Sequence, residues 1–238
     1  MSDEYNIEVS KHYAAYRPPI HSMILEEVLP LNKCFSKGLD VGCGTGVSTK
    51  ALSRFCKSII GIDPSEAMLA QAKSFETMMF MQGTGENIPL ADNSIDIVSF
   101  AGSLYYAKSN KLISELVRVC SNNALIVVYD FEVKLDCAME YLGIKINPST
   151  SGYNHSENFE GYSELQELKV HKGKLILGVT SQQLAHILFS SSNRYSSLVE
   201  RFGNVNPLKS VVSELNNIDA VHDIEIDTYY SMYQINTA

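Results

Sequence analysis

The sequence predicts a doubly wound α/β fold: a mostly parallel, seven-stranded sheet with helices on both faces and an inserted lid. Three observations predict it. Near-continuous apolar runs alternate with helical stretches from residue 37 to about 131, as when helices cover both faces of a parallel sheet. A glycine-rich turn, Gly42 to Gly46, joins the first apolar run to a helical stretch. Beyond residue 131 the alternation gives way to a polar, turn-rich stretch.

The tyrosine-rich start "HYAAYRPP" ends at Pro18-Pro19, and a short amphipathic helix follows. "SKGLDVG" is the first strand, "STKALSRFC" a helix, and "KSIIGID" the second strand. "SEAMLAQAKSF" reads as a helix that Ser65 caps. "TMMFMQG" and "SIDIVSFAGS" are the third and fourth strands, "KLISELVRVC" a helix and "NALIVVYDF" the fifth strand. "NPSTSGYNHSENFEGYS" is expected to be a mobile loop, and "ELKVHKGKLILGV" a strand or hairpin. Residues 180–217 read as helices broken near Ser190–Asn193 and Gly203–Pro207, before a final strand, "HDIEIDTYYSMYQI". A chain of 238 residues suits one domain with additions: an N-terminal lid segment, 1–20, and substrate-side insertions at 132–165 and 180–217.

Net charge of −8 and a pI near 5.2 disfavour nucleic acid and anionic membrane as partners. No apolar run approaches the ~20 residues that span a bilayer, and the polar start "MSDEYNIEVSK" is unlike a secretory signal. Cys34, Cys43, Cys56, Cys120 and Cys137 form no C-x-x-C pair. No metal site is expected, and reduced thiols in a cytoplasmic protein are. A homodimer is compatible with this reading.

The turn lacks the lysine of a phosphate-binding loop, since Val47 and Ser48 follow Gly46. A dinucleotide turn, G-x-G-x-x-G, would put glycine where Val47 stands; the spacing here is G-x-G-x-G. Asp40 beside the turn would repel a pyrophosphate and suits a cation. Asp63, ending the second strand 17 residues after Gly46, can accept both hydroxyls of a ribose. A ribose, a positive group and no phosphate describe S-adenosylmethionine.

The chain resembles the class I S-adenosylmethionine-dependent methyltransferases, in the Rossmann-like group with small-molecule substrates. "LDVGCGTG" is similar to their first motif and "GIDPSEAMLAQAK" to the segment after it. "QGTGENIPLADNSIDIV" and "SLYYAKSNKLISELVRV" match later segments in order, and "HYAAYRPPI" resembles the entry segment of the trans-aconitate methyltransferase-like subgroup. Together these cover about residues 10–131.

The resemblance implies roles position by position. The backbone of Gly42, Cys43, Gly44 and Gly46 lies against the methionine part of the cofactor, and Asp40 faces its ammonium. Asp63 holds the ribose, with Pro64 and Met68 beside adenine. Gly85 offers its N–H to adenine, with Thr84 or Glu86 at the exocyclic amine. Ala101 and Gly102 approach the methionine end, and Tyr13, Tyr16 and Arg17 close over the cofactor. Thr84 stands where many relatives carry Asp, and "CSNNA" replaces the usual proline-glycine turn.

The sulfonium is already an activated electrophile, so positioning and desolvation can supply much of the rate. The expected activity is methyl transfer to O, N, S or C of a small polar molecule. No protein base stands out; Tyr16, Tyr105, Tyr106 and His155 are the catalytic candidates. Plainer roles exist for each: aromatic packing for the tyrosines, a surface position for His155, a helix cap for Asp63, and solvent exposure for the "SSSNRYSS" cluster. Two rivals share the cofactor. One is attack at its aminocarboxypropyl carbon, releasing methylthioadenosine; the other is a non-catalytic sensor or regulatory subunit.

Overall fold

A computed structural model describes residues 8–236 except 10, 14, 31 and 146–151. Expectations for residues 1–7 and for the centre of the 132–165 insertion lie outside the described residues. The sheet has seven strands: β1 (Phe35–Val41), β2 (Cys56–Asp63), β3 (Met78–Gln82), β4 (Ile95–Ala101), β5 (Cys120–Val133), β6 (Leu165–Thr180) and β7 (Val221–Ile235). Their order is β3-β2-β1-β4-β5-β7-β6. β3–β2, β2–β1, β1–β4 and β4–β5 are parallel. Asn236 N–H donates to Glu164 O and Ser181 N–H to Ala220 O, so β6 runs antiparallel to β7.

The helices are α1 (Ile20–Val28), α2 (Val47–Leu52), α3 (Glu66–Leu69), α4 (Leu104–Ala107), α5 (Asn110–Val119), α6 (Asp136–Tyr141), α7 (Ser181–Phe189), α8 (Ser192–Phe202) and α9 (Pro207–Asn216). A short 3-10 turn, Ser53–Phe55, extends α2.

The chain divides into two compact units. The first comprises Met1–Pro18, Glu132–Ser151 and Lys174–Asp227; the second comprises Pro19–Phe131, Gly152–Gly173 and Thr228–Ala238. In the first unit, Leu135, Met139, Leu184, Leu188, Phe189, Leu198, Val211, Leu215 and Ile224 form a buried core. Tyr16 packs against it, and the Arg17 guanidinium lies 3.6 Å from the centre of the Tyr13 ring. In the second unit, Leu39, Val41, Ile60 and Ile62 pack with Val98, Phe100, Ile126 and Val128, and with Leu112 and Leu116 of α5. Strand order reverses between β1 and β4, which opens a crevice beyond their carboxyl ends.

Four elements depart from expectation. The helix expected over "SEAMLAQAKSF" is capped by Ser65 as anticipated, but ends at Leu69. None of its residues is buried, so no packing extends it, and Phe75 and Met78 exchange backbone bonds in a tight turn instead. The "CSNNA" segment begins β5 rather than a turn. Ile95 pairs with Cys120 and Ile97 with Leu125, so the intervening residues bulge out of the ladder. α6 was not anticipated, although Leu135, Met139 and Leu142 have helical spacing and are all buried. The described part of the loop expected to be mobile is packed: Phe159 is 1% exposed, and its N–H donates to Tyr233 Oη at 3.2 Å.

Candidate active site

The chain leaves β1 into the Gly42–Gly46 turn. Gly42, Gly44 and Gly46 have φ of +72°, +54° and +83°, the left-handed region that glycine enters at least cost. Gly42 N–H and Cys43 N–H both donate to Ile62 O, at 2.8 and 3.0 Å, which binds the turn to β2. A Cβ on Gly42 would strike Ser103 and one on Gly46 would strike Phe80, each at 2.5 Å; one on Gly44 would meet nothing within 4 Å. Two of the glycines are thus required by packing. The third leaves open space beside the backbone.

Asp63 ends β2 with its carboxylate fixed by two backbone donors: Gly44 N–H to Oδ2 and Ser65 N–H to Oδ1, both 2.9 Å. Each oxygen retains acceptor capacity. Asp63, Pro64, Gly42, Thr84, Gly85, Glu86, Ala101 and Gly102 line a cavity of about 590 Å³, within the range of small-molecule sites.

The family described as "Methyltransferase domain" matches residues 39–128, the stretch carrying this turn, Asp63 and the exit of β4. The proposed S-adenosylmethionine-dependent methyltransferase CRG1 of Saccharomyces cerevisiae is 32% identical over 117 residues, 45% of this chain and 40% of that protein. Residues 39–128 are thus similar to a methyltransferase domain. The uncharacterized methyltransferase YcgJ of Bacillus subtilis is 24% identical over 190 residues, 75% of this chain and 70% of that protein. The structure of a proposed type II methyltransferase from Anaeromyxobacter dehalogenans superposes with a TM-score of 0.63 at 18% identity, covering 92% of this chain and 97% of that one. That likeness shows a shared Rossmann-like fold. The chain spans 40% of CRG1 and 70% of YcgJ.

The family's cofactor is S-adenosylmethionine, and the residues of the methyltransferase domain fit it. The open side of Gly44 admits a ligand close to the backbone, and the oriented Asp63 carboxylate can accept from ribose hydroxyls.

Not every anticipated residue reaches the cavity wall. Asp40, expected at the cofactor's ammonium, is fully buried and faces hydroxyls instead. Ser99 donates to its Oδ1 at 2.7 Å, and Ser48 and Thr49 donate to its Oδ2 at 2.6 and 2.7 Å. Burial raises its pKa, the three hydroxyls opposing the shift. The carboxylate therefore staples β1 to α2 and β4. Cys43 is also buried, with its thiol toward the position a Gly61 Cβ would take; burial pushes that thiol up to about 12. Met68 is 46% exposed and absent from the wall. Tyr13, Tyr16 and Arg17 belong to the first unit.

Ser103 also lines the wall, its hydroxyl donating to Val41 O; Lys108 and Ser109, after α4, were not anticipated. Ser109 caps α5, accepting from Leu112 N–H. Lys108 pairs with Glu157 at 2.6 Å, and Glu86 lies 3.7 Å from Lys111. Of the catalytic candidates, Tyr106 borders the cavity and is 78% exposed. Tyr105 and His155 border a separate, smaller cavity that also begins at Gly102. Among the described residues, no group of acids, histidines or cysteines could hold a metal ion, and no helix is long and apolar enough to cross a membrane.

Proposed function

We propose that the protein transfers the methyl group of S-adenosylmethionine to a small polar molecule. The observation that carries this reading is the Asp63 carboxylate, which lines the 590 Å³ cavity and is oriented by the N–H of Gly44, a glycine with open space beside it. The cofactor supplies the activated methyl carbon. The protein's own part is to bind and orient. Asp63 accepts from the ribose hydroxyls, Gly85 N–H and the Thr84 and Glu86 side chains meet the adenine edge, and Gly42 and Gly102 let the backbone approach the methionine portion. Tyr106 and Ala107 border the same cavity.

Residues 153–158 are assigned to acceptor selection, because they line the smaller cavity that shares Gly102 with the cofactor cavity. A small-molecule acceptor accords with the net charge of −8, which works against a polyanionic one.

Incubation with methyl-labelled S-adenosylmethionine and a cell extract tests the reading. S-adenosylhomocysteine should accumulate as label enters a small product. Methylthioadenosine instead would favour attack at the aminocarboxypropyl carbon, and cofactor binding without turnover would favour a sensor.

A further inference from the structure

Gly102 borders two cavities: the one described above and a second of about 100 Å³. At the second, a Cβ on Gly102 would lie 3.3 Å from Asp130 Oδ1 and 3.5 Å from Tyr153 Oη. Asp130 Oδ1 accepts from Phe131 N–H at 2.7 Å. Its Oδ2 accepts from the His155 ring at 2.9 Å and lies 2.8 Å from Tyr153 Oη. The Tyr153 hydroxyl also lies 2.7 Å from Gly102 O, which ties the cluster to the glycine shared with the cofactor cavity.

An ionised carboxylate only accepts, so Asp130 fixes the His155 proton on Nδ1 and leaves the lone pair on Nε2. Among the described residues, Asp130 is the hydrogen-bond partner of this ring. The His155 side chain is 32% exposed. The walls are aromatic. His155 stacks on Tyr229, with centroids 6.0 Å apart, and meets the Tyr153 ring edge-on at 4.8 Å. Tyr105 lies 4.8 Å from Tyr153.

The geometry points to His155 as the general base of methyl transfer to a phenolic hydroxyl, with Asp130 as its positioning residue. This rests on the methyl-transfer reading above. Asp130 is committed to Phe131 N–H and the His155 ring, with Tyr153 Oη 2.8 Å away, so it is poorly placed to receive a substrate ammonium. The group left to meet an acceptor is a lone pair, which suits an O–H donor, and the tyrosine walls suit an aromatic ring. A phenol keeps its proton at neutral pH, so a base assists its attack.

The step balances. Nε2 takes the hydroxyl proton, the oxygen pair forms the O–CH3 bond, and the C–S bond breaks with its pair kept by sulfur. The positive charge leaves the sulfonium for the imidazolium, which then gives its proton to water. The other charged or titratable groups around the cavity are Tyr105, Tyr129, Tyr229, Tyr230, Glu157, His171 and Lys172, Glu157 being paired with Lys108.

The test uses the full chain. S-adenosylhomocysteine binding is measured by calorimetry, and methyl transfer from labelled cofactor is assayed with phenol, catechol and 4-hydroxybenzoate, against aniline and benzylamine. Ethers should form from at least one phenol. His155→Gln should lower kcat/KM by about 10²–10⁴-fold, abolish the acidic limb of the pH profile and leave S-adenosylhomocysteine affinity unchanged. Nitrogen-15 NMR of the wild type should show the Nδ1–H tautomer at His155, lost in Asp130→Asn.

Methylation of the amines alone, or of none of the phenols, would overturn the substrate class. An unchanged pH profile in His155→Gln with cofactor bound, or the Nε2–H tautomer in the wild type, would overturn the base whether or not a variant folds. Wild-type protein that binds no S-adenosylhomocysteine would sink the proposed function itself.

Discussion

Asp63 serves the turn and the cavity with one carboxylate, and the two roles separate by substitution. Asp63→Asn keeps an oxygen for one backbone N–H but loses the charge that strengthens bonds to a ribose. Cofactor affinity should fall by about 1.5–3 kcal/mol, the scale of a hydrogen bond to a charged group, with a much smaller change in melting temperature; calorimetry beside a thermal melt checks both. Gly44→Ala places a methyl group in open space, so its folding cost is the backbone strain of φ +54°, about 1–2 kcal/mol, while binding should be lost. Asp63 and the glycines were legible because short-range spacing and chemistry define them. The environment of Asp40 was not, because Ser99 reaches it from 59 positions away. The cysteines offer an independent check. Cys34 and Cys137 are exposed, whereas burial pushes Cys43, Cys56 and Cys120 up to about 12. A thiol reagent at neutral pH should modify the first two quickly and the other three only after denaturation.

Among the elements, β1 to β4 were legible as apolar runs bounded by turn residues, and the breaks between α7, α8 and α9 as polar and glycine-proline interruptions. The early end of α3 was not, because helix length depends on packing that the local sequence does not record. α7 carries a pH-sensitive contact. His12 Nδ1 lies 3.0 Å from His186 Nδ1, and His186 Nε2 lies 3.0 Å from Gln182 Nε2. Burial holds both histidines below their ordinary value of 6.5, and the neighbouring His186 lowers His12 further. Lowered pKa values mean that the unfolded chain binds protons first on acidification. The contribution is therefore complete above 6.5 and lost as pH falls through the folded values. Urea midpoints measured on either side of that window should fall on the acid side, and His186→Gln should flatten the dependence.

For the whole molecule, the chain passes between its two units at five points, three of them inside β5, β6 and β7. Neither unit is a continuous piece of sequence, and their backbone ladders share strands. Unfolding should be a single transition: denaturant curves followed by far-ultraviolet circular dichroism and by tyrosine fluorescence, in a chain without tryptophan, should superimpose. Two separated midpoints would show that the units melt independently.

β7 is the last strand in the chain, yet it lies between β5 and β6 in the sheet. On the ribosome, β5 and β6 emerge without the strand that joins them, and the gap stays open until residues 221–235 are released. Folding must therefore wait for a long-range closure late in translation. Until then β6 presents Leu168, Val170 and Ile176, exposed even in the finished fold, beside an unpaired backbone edge of the kind that seeds strand-to-strand association. A nascent chain stalled before residue 221 is where chaperone demand should be greatest.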